Sequence, residues 1–306
     1  MSLSRRQFIQ AGTAAAAATV AGGWEPAGSK AALPKREFGR TGWKASIYAL
    51  GSAEIPDNPE AVRAIHKMID GGVNYLDTAP SYQGTRSETV LGEVLKTRRS
   101  AVFVATKTLE RSADGAYGEL KASRRRLAID RLDLIQIHSV NDDATLERVL
   151  AKGGALEGLR RAQREGLVSH IGITGHTRPE VILKAVNSGE FASILIPISP
   201  LDHHLSDFAT DVIPRAAKLG LGIAGMKALK GIERASGGKF DPIPYLRYAW
   251  SLPISTLTLG LRKETEVARN LAAAQAFKPL SQAERAALEE KSKEWADEGV
   301  LWWKRR

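Results

Sequence analysis

From Pro34 onward the chain alternates short apolar runs with longer amphipathic stretches, regularly enough to count the elements. Residues 35–42 and 44–48 read as a hairpin turned by glycines, leading into a buried strand that ends at Leu50-Gly51-Ser52. Asn58 is a helix cap, followed by Pro59 and Glu60 in the first turn, then Val62, Ile65, Met68 and Ile69 on one face, with Gly71-Gly72 as the stop. The apolar run 73–77 is the next strand. The same unit then recurs. Ser87 and Glu88 open a helix, strand 102–106 ends on Lys107, a helix runs through Leu120 and Leu127, and strand 132–137 ends on His138. Helix 156–165, strand 170–174, helix 179–186, strand 193–198, helix 212–219, strand 222–226, helix 245–250 and strand 255–259 continue the series, and helices 263–276 and 281–295 close it.

Eight strands after the hairpin, each followed by a helix, predict a (β/α)8 TIM barrel with an N-terminal β-hairpin and an extra C-terminal helix. A doubly wound open sheet is the competing α/β arrangement. It would carry a Gly-rich phosphate turn after its first strand, and Leu50-Gly51-Ser52-Ala53 has no G-x-G-x-x-G.

Barrel enzymes hold their chemistry at the C-terminal ends of the strands. Here three successive strands end on Asp77, Lys107 and His138, and Tyr82 follows just beyond Asp77. These types suit one reaction. A free phenol has a pKa of about 10, and a nearby ammonium is expected to lower it by about 1 to 3, making Tyr82 a proton donor near neutrality. Asp77 would keep a buried Lys107 charged. His138 would hydrogen-bond a carbonyl oxygen and share the negative charge that develops there. Such a set protonates an alkoxide as hydride reaches the carbonyl carbon. Side chains cannot donate hydride, so a nicotinamide cofactor is required.

Phe38-Gly39-Arg40-Thr41-Gly42, Leu50-Gly51, Asp77-Thr78-Ala79 with Tyr82, Gly84-Thr85-Arg86-Ser87-Glu88 with Leu91-Gly92, Thr106-Lys107 and 133–138 together resemble the aldo-keto reductases. The resemblance runs from Pro34 to about Leu271. It implies a Tyr82, Lys107, Asp77 and His138 tetrad in the roles just described, and NADP or NAD as cofactor. Cofactor contacts are expected from Gly51, Ser52, Thr174, Met226, Lys227, Gly260, Arg262, Glu266 and Asn270, with Lys227 toward the pyrophosphate. Three positions depart from the family pattern. Thr174-Gly175-His176 stands where Ser-Asn is usual, Leu195 where Gln is usual, and Met226 where an aromatic stacks on nicotinamide. Glu266 occupies the place of an Arg that binds the 2′-phosphate in NADP-dependent members, which favours NAD, while Arg262 offers a compensating charge. A non-catalytic nicotinamide-binding regulator on the same fold is the alternative, and the intact tetrad argues against it.

Composition adds little to this. The 43% hydrophobic and 25% charged fractions describe an ordinary globule. The net charge of +10 is spread along the chain apart from residues 124–126 and 304–306, so no nucleic-acid partner is expected. The chain has no cysteine, which excludes disulfides and thiol chemistry. No metal is expected either, and the loop with Asp202, His203 and His204 reads as lining the cleft. Trp302-Trp303 reads as packed on the barrel or capping its mouth.

The N-terminus is more informative. Paired Arg5-Arg6, then Phe8, then an Ala-rich run too weakly apolar to anchor in a membrane resemble a twin-arginine export signal. The expected organisation is therefore 1–33 signal and linker and 34–306 barrel. The implied partners are the twin-arginine export machinery and a small-molecule carbonyl or alcohol substrate, and the implied location is the periplasm.

Overall fold

A computed structural model of the chain describes residues 31–297 and 299–304; the expected export signal lies outside them. The chain opens with a two-stranded antiparallel hairpin, β1 (Lys35–Glu37) and β2 (Lys44–Ser46), in which Glu37 faces Lys44. Eight parallel strands follow: β3 (Tyr48–Gly51), β4 (Tyr75–Asp77), β5 (Phe103–Thr108), β6 (Leu132–Ile137), β7 (Val168–Thr174), β8 (Ser193–Pro197), β9 (Gly222–Met226) and β10 (Thr256–Gly260). Each pairs with its sequence neighbours, and β10 pairs back onto β3, so the sheet closes into a barrel. The expected (β/α)8 fold is the observed one.

The helices are α1 (Pro59–Asp70), α2 (Arg86–Arg98), α3 (Ala113–Leu127), α4 (Asp143–Leu150), α5 (Ala155–Arg164), α6 (Pro179–Asn187), α7 (Asp202–Leu205), α8 (Val212–Lys218), α9 (Lys230–Ala235), α10 (Ile243–Ser251), α11 (Glu264–Gln275) and α12 (Gln282–Ser292). Asn58 caps α1 as expected, accepting from the Ala61 amide at 2.9 Å. The short helices α4, α7 and α9 go unread in the sequence, because segments of one or two turns carry too little periodicity. Ser87 and Glu88 differ from their expected role. The helix starts at Arg86, and both side chains turn inward. The Ser87 hydroxyl meets those of Ser52 (2.6 Å) and Thr78 (2.8 Å), and Glu88 bridges the Thr106 hydroxyl (2.6 Å) and the Arg126 guanidinium (2.5 Å).

The hairpin plugs the N-terminal end of the barrel. Phe38 is fully buried, 5.1 Å from the Tyr75 ring and 5.6 Å from Phe103, in edge-on contact with both. A Cβ at Gly222 would stand 2.9 Å from the Phe38 ring, so the plug needs glycine there. At the other end the C-terminal segment docks beside α9, with Leu301 fully buried in a cluster with Leu201, Ile232 and Tyr245. No helix among the described residues is long and apolar enough to cross a membrane.

Candidate active site

The polar groups at the open end arrive at or just beyond the ends of largely buried strands, so their positions are set by the barrel register. Asp77 is the last residue of β4 and Lys107 the penultimate residue of β5, in register with Gln136 of β6; His138 follows β6 directly. Lys107 and Asp77 are almost completely buried and form an ion pair. The Lys107 ammonium also donates to the Thr78 carbonyl at 2.8 Å, and the Gln136 amide donates to the second Asp77 oxygen at 2.9 Å. The Lys107 nitrogen stands 4.7 Å from the centre of the Tyr82 ring. The Tyr82 and His138 rings are 6.1 Å apart and nearly perpendicular.

This packing fixes the protonation states. Burial works against the Lys107 charge, but Asp77 and Tyr82 outweigh it, and its pKa rises above the ordinary lysine value. Lys107 therefore stays an ammonium. His138 is pushed down to about 2, first by burial and then by the Lys107 charge, so it is a neutral imidazole. Its Nδ1 is buried without a hydrogen-bond partner among the described residues. Tyr82 corrects an expectation. Burial raises its pKa more than Lys107 lowers it, leaving the phenol above its ordinary value. The hydroxyl thus carries its proton throughout the neutral range, and Lys107 is placed to stabilise the phenolate once that proton has left.

Asp77, Tyr82 and His138 line one cavity of about 510 Å³, together with Gly51, Met226, Lys227, Gly260, Arg262, Glu266 and Asn270. Lys107 is at the back of this wall. Ser52 and Thr174, expected as cofactor contacts, do not line it. Ser52 is buried and donates to the Asp77 carbonyl at 2.7 Å. Thr174 is buried and accepts from the Ser139 amide at 2.8 Å, pinning a residue held at φ +56° next to His138. Ser52 thus ties the segment after β3 to the end of β4, and Thr174 ties the end of β7 to the turn after His138. The loop with Asp202, His203 and His204 also differs from expectation. His203 contacts Asp207 (3.2 Å), His204 contacts the Glu289 carbonyl (2.7 Å), and none of the three residues lines the cavity.

At the far end of the cavity the charges neutralise one another. Glu266 accepts from the Arg262 amide (2.9 Å) and caps α11, while the Arg262 guanidinium reaches Glu233 at 2.9 Å and Glu266 at 3.4 Å. Lys227 sits at φ +62° with its ammonium over the Trp303 ring, 4.8 Å from the centre. Burial, aided by the neighbouring Lys230, lowers its pKa to about 8. Lys230 pairs with Glu54.

The sequence reading missed Gln136 as a partner of Asp77, although a lone amide inside the apolar run 132–137 is a visible signal. Asn141 and His176 also line the cavity without having been assigned a role. The contacts of Lys227 with the tail have no local signal at all.

The aldo/keto reductase family model matches residues 47–242. The chain belongs to that family. Among its relatives are an uncharacterised oxidoreductase, YqkF, of Bacillus subtilis (28% identical over 183 residues, 56% of this chain and 58% of the relative) and the L-galactose dehydrogenase of Arabidopsis thaliana (30% over 155 residues, 46% and 48%). These two matches span about half the length of each relative. The 6-dehydroglucose reductase of Novosphingobium aromaticivorans is 29% identical over 222 residues, 66% of this chain and 70% of the relative. A solved Pseudomonas aeruginosa structure assigned to the same family is 28% identical with a TM-score of 0.68, over 80% of this chain and 95% of its own. A Klebsiella pneumoniae aldo-keto reductase, solved in complex with NADPH, has the same fold at 19% identity and a TM-score of 0.65, over 81% and 91%.

Proposed function

We propose that the protein reduces a carbonyl compound to an alcohol, or runs the reverse oxidation, with NADP or NAD as cofactor. One observation carries this reading: a protonated phenol, a neutral imidazole and a carboxylate line the same cavity, with a buried ammonium and amide behind them. In the reduction, the Tyr82 hydroxyl gives its proton to the carbonyl oxygen, and Lys107 stabilises the phenolate that remains. Asp77, held by Gln136, keeps Lys107 charged. His138 hydrogen-bonds the same oxygen and orients it, with general acid catalysis contributing about 10² to 10⁴-fold.

The cavity suits a nicotinamide dinucleotide, which supplies hydride when bound. Gly51 and Gly260 face one another in register on its wall, and a Cβ at Gly260 would meet nothing within 4 Å, leaving room for close approach to the backbone. Lys227 and Lys230 offer ammonium groups to a pyrophosphate. The Klebsiella relative binds NADPH, whereas Glu266 and Glu233 engage Arg262 here, so both nucleotides remain in the proposal.

Two relatives are named for sugars, which makes sugar-derived aldehydes, ketones and lactols the first compounds to test. The assay follows nicotinamide absorbance over a panel of carbonyls and alcohols with each nucleotide, using Tyr82→Phe as control. Turnover that Tyr82→Phe abolishes supports the reading. Nucleotide binding with no turnover on any compound would replace it with the non-catalytic, regulatory role.

The twin-arginine pattern at Arg5-Arg6 further supports export of the protein to the periplasm with its cofactor already loaded. Fractionation of cells expressing the chain and its Arg5→Lys/Arg6→Lys variant tests this. Retention of both in the cytoplasm would sink the export reading, and absence of nicotinamide from denatured periplasmic protein would sink the loading step.

A further inference from the structure

The structure assigns Trp302 and Trp303 to a clasp that retains the bound dinucleotide by closing over Lys227 and Lys230 at the cavity mouth. The inference rests on the nicotinamide reading above. Its first support is the anchoring of the tail. Gly231, in the first turn of α9, has no side chain where a Cβ would stand 2.6 Å from Leu301 and 2.8 Å from Leu201. A side chain there would push against both leucines, so glycine favours the close seat of the tail on the helix. Leu301 is fully buried at the contact, so the two residues that follow it are delivered to a fixed place.

The second support is what they meet there. Both indoles line the same cavity as Tyr82 and His138. The Lys227 ammonium lies 4.8 Å from the Trp303 ring centre and 5.7 Å from that of Trp302; the Lys230 ammonium lies 5.7 Å from Trp302. All three distances are within cation–π range. Lys227 adopts a left-handed conformation, φ +62°, which L-residues rarely hold without a stabilising surrounding. Trp303 is 9% exposed and Trp302 is 46% exposed, so one ring is seated while the other stands partly open at the mouth.

The third support is topology. Lys230 pairs with Glu54, which lies on the loop after β3, whereas Lys230 follows β9. In the closed barrel β9 and β3 flank β10, so the ion pair, whose lysine meets the Trp302 ring, spans the end of the strand that carries Gly260. An ammonium held against an aromatic face still presents donors on its other side. A doubly charged pyrophosphate entering beneath the indoles would therefore meet two ammonium groups already aimed, and would add to the cation–π contacts without replacing them. The ligand class is a dinucleotide diphosphate, and the effect falls on its rate of release.

The test loads purified full-length protein with NADPH or NADH, mixes it rapidly with excess of the oxidised nucleotide and follows the decay of bound nicotinamide fluorescence. Trp302→Ala and Trp303→Ala are expected to release the nucleotide at least about tenfold faster, and Trp302→Phe, which keeps an aromatic face, to stay near the wild-type rate. Trp302 is half exposed, so its variants retain the fold, and thermal unfolding checks this for each protein. Unchanged release rates in both alanine variants would overturn the clasp. So would a raised KM for the carbonyl substrate with release unaffected, which would assign the indoles to substrate. Failure of the wild type to bind either nucleotide would instead remove the nicotinamide reading itself.

Discussion

The two sides of the barrel mouth hold their charges in opposite ways. On the β4–β6 side, Lys107, Asp77 and Gln136 are buried in the wall, with Lys107 and Gln136 both bonded to Asp77. On the β9–β10 side, Lys227, Lys230, Arg262, Glu233 and Glu266 sit on loops and helix ends, paired with one another, with Glu54 or with indoles. The first arrangement cannot rearrange without opening the barrel. The second can exchange each partner for a ligand. The proposed function therefore puts catalytic geometry on the rigid side and ligand capture on the adaptable one.

The largest effect tests the rigid side. Tyr82→Phe removes the only proton the site is proposed to donate and should lower kcat by about 10² to 10⁴-fold, with nucleotide affinity unchanged in a fluorescence titration. A variant that keeps its kcat would end the comparison by removing catalysis from this wall. Next comes Lys107→Met, which leaves the Asp77 carboxylate buried with the Gln136 amide as its remaining side-chain partner. Losing one member of a buried pair costs about 3–5 kcal/mol, and denaturant unfolding should register it. The double variant Asp77→Asn/Lys107→Met should recover most of that stability while remaining inactive.

The same contrast explains what the sequence disclosed. Strands buried on both faces read as predominantly apolar runs, so all eight were visible, and a titratable residue closing such a run marked Asp77, Lys107 and His138. Inside such a strand, however, direction is hidden. Gln136 in the run 132–137 looks like an outward polar position, yet it points at Asp77. Ser52 and Thr174 stand at strand ends like Asp77 and Lys107, but their hydroxyls are bonded to backbone atoms of the next strand end or the neighbouring loop, a contact no local pattern encodes. The phenol pKa was misjudged for a related reason: the charge beside Tyr82 is evident from residue types, whereas the burial that outweighs it is a property of the packed site. On the adaptable side, Lys227 and Trp303 are far apart in sequence and meet only through the docking of Leu301.

Smaller effects test the adaptable side. The Lys227 ammonium is depressed to about 8 in the folded protein from an ordinary value of 10.5, so it loses its charge as the pH rises through about 8. Dinucleotide affinity should therefore be highest below that value and weaken above it. Calorimetry in two buffers should detect proton uptake on binding near pH 8, because the pyrophosphate favours the charged amine. Lys227→Met should weaken binding roughly tenfold at pH 7 and flatten this pH profile. The smallest change is expected from Glu266→Gln, which loosens one of the two carboxylates on Arg262 and should raise the ratio of NADPH to NADH affinity by only a few-fold, about the effect of a partly exposed ion pair. If the ratio stays fixed, Arg262 does not read the 2′-phosphate.

The seam where β10 meets β3 sets the folding order. Residues 48–51 pair with residues 257–260, so the first barrel strand waits for most of the chain to be synthesised before its outer edge is covered. Contacts this distant in sequence slow folding, and until they form β3 presents open backbone donors and acceptors to any passing strand. The Arg36 guanidinium reinforces the same seam from the hairpin, donating to the carbonyls of Trp250 (2.6 Å) and Ile254 (2.7 Å). A chain interrupted before Thr256 would therefore carry the complete tetrad and yet have no closed barrel to hold it.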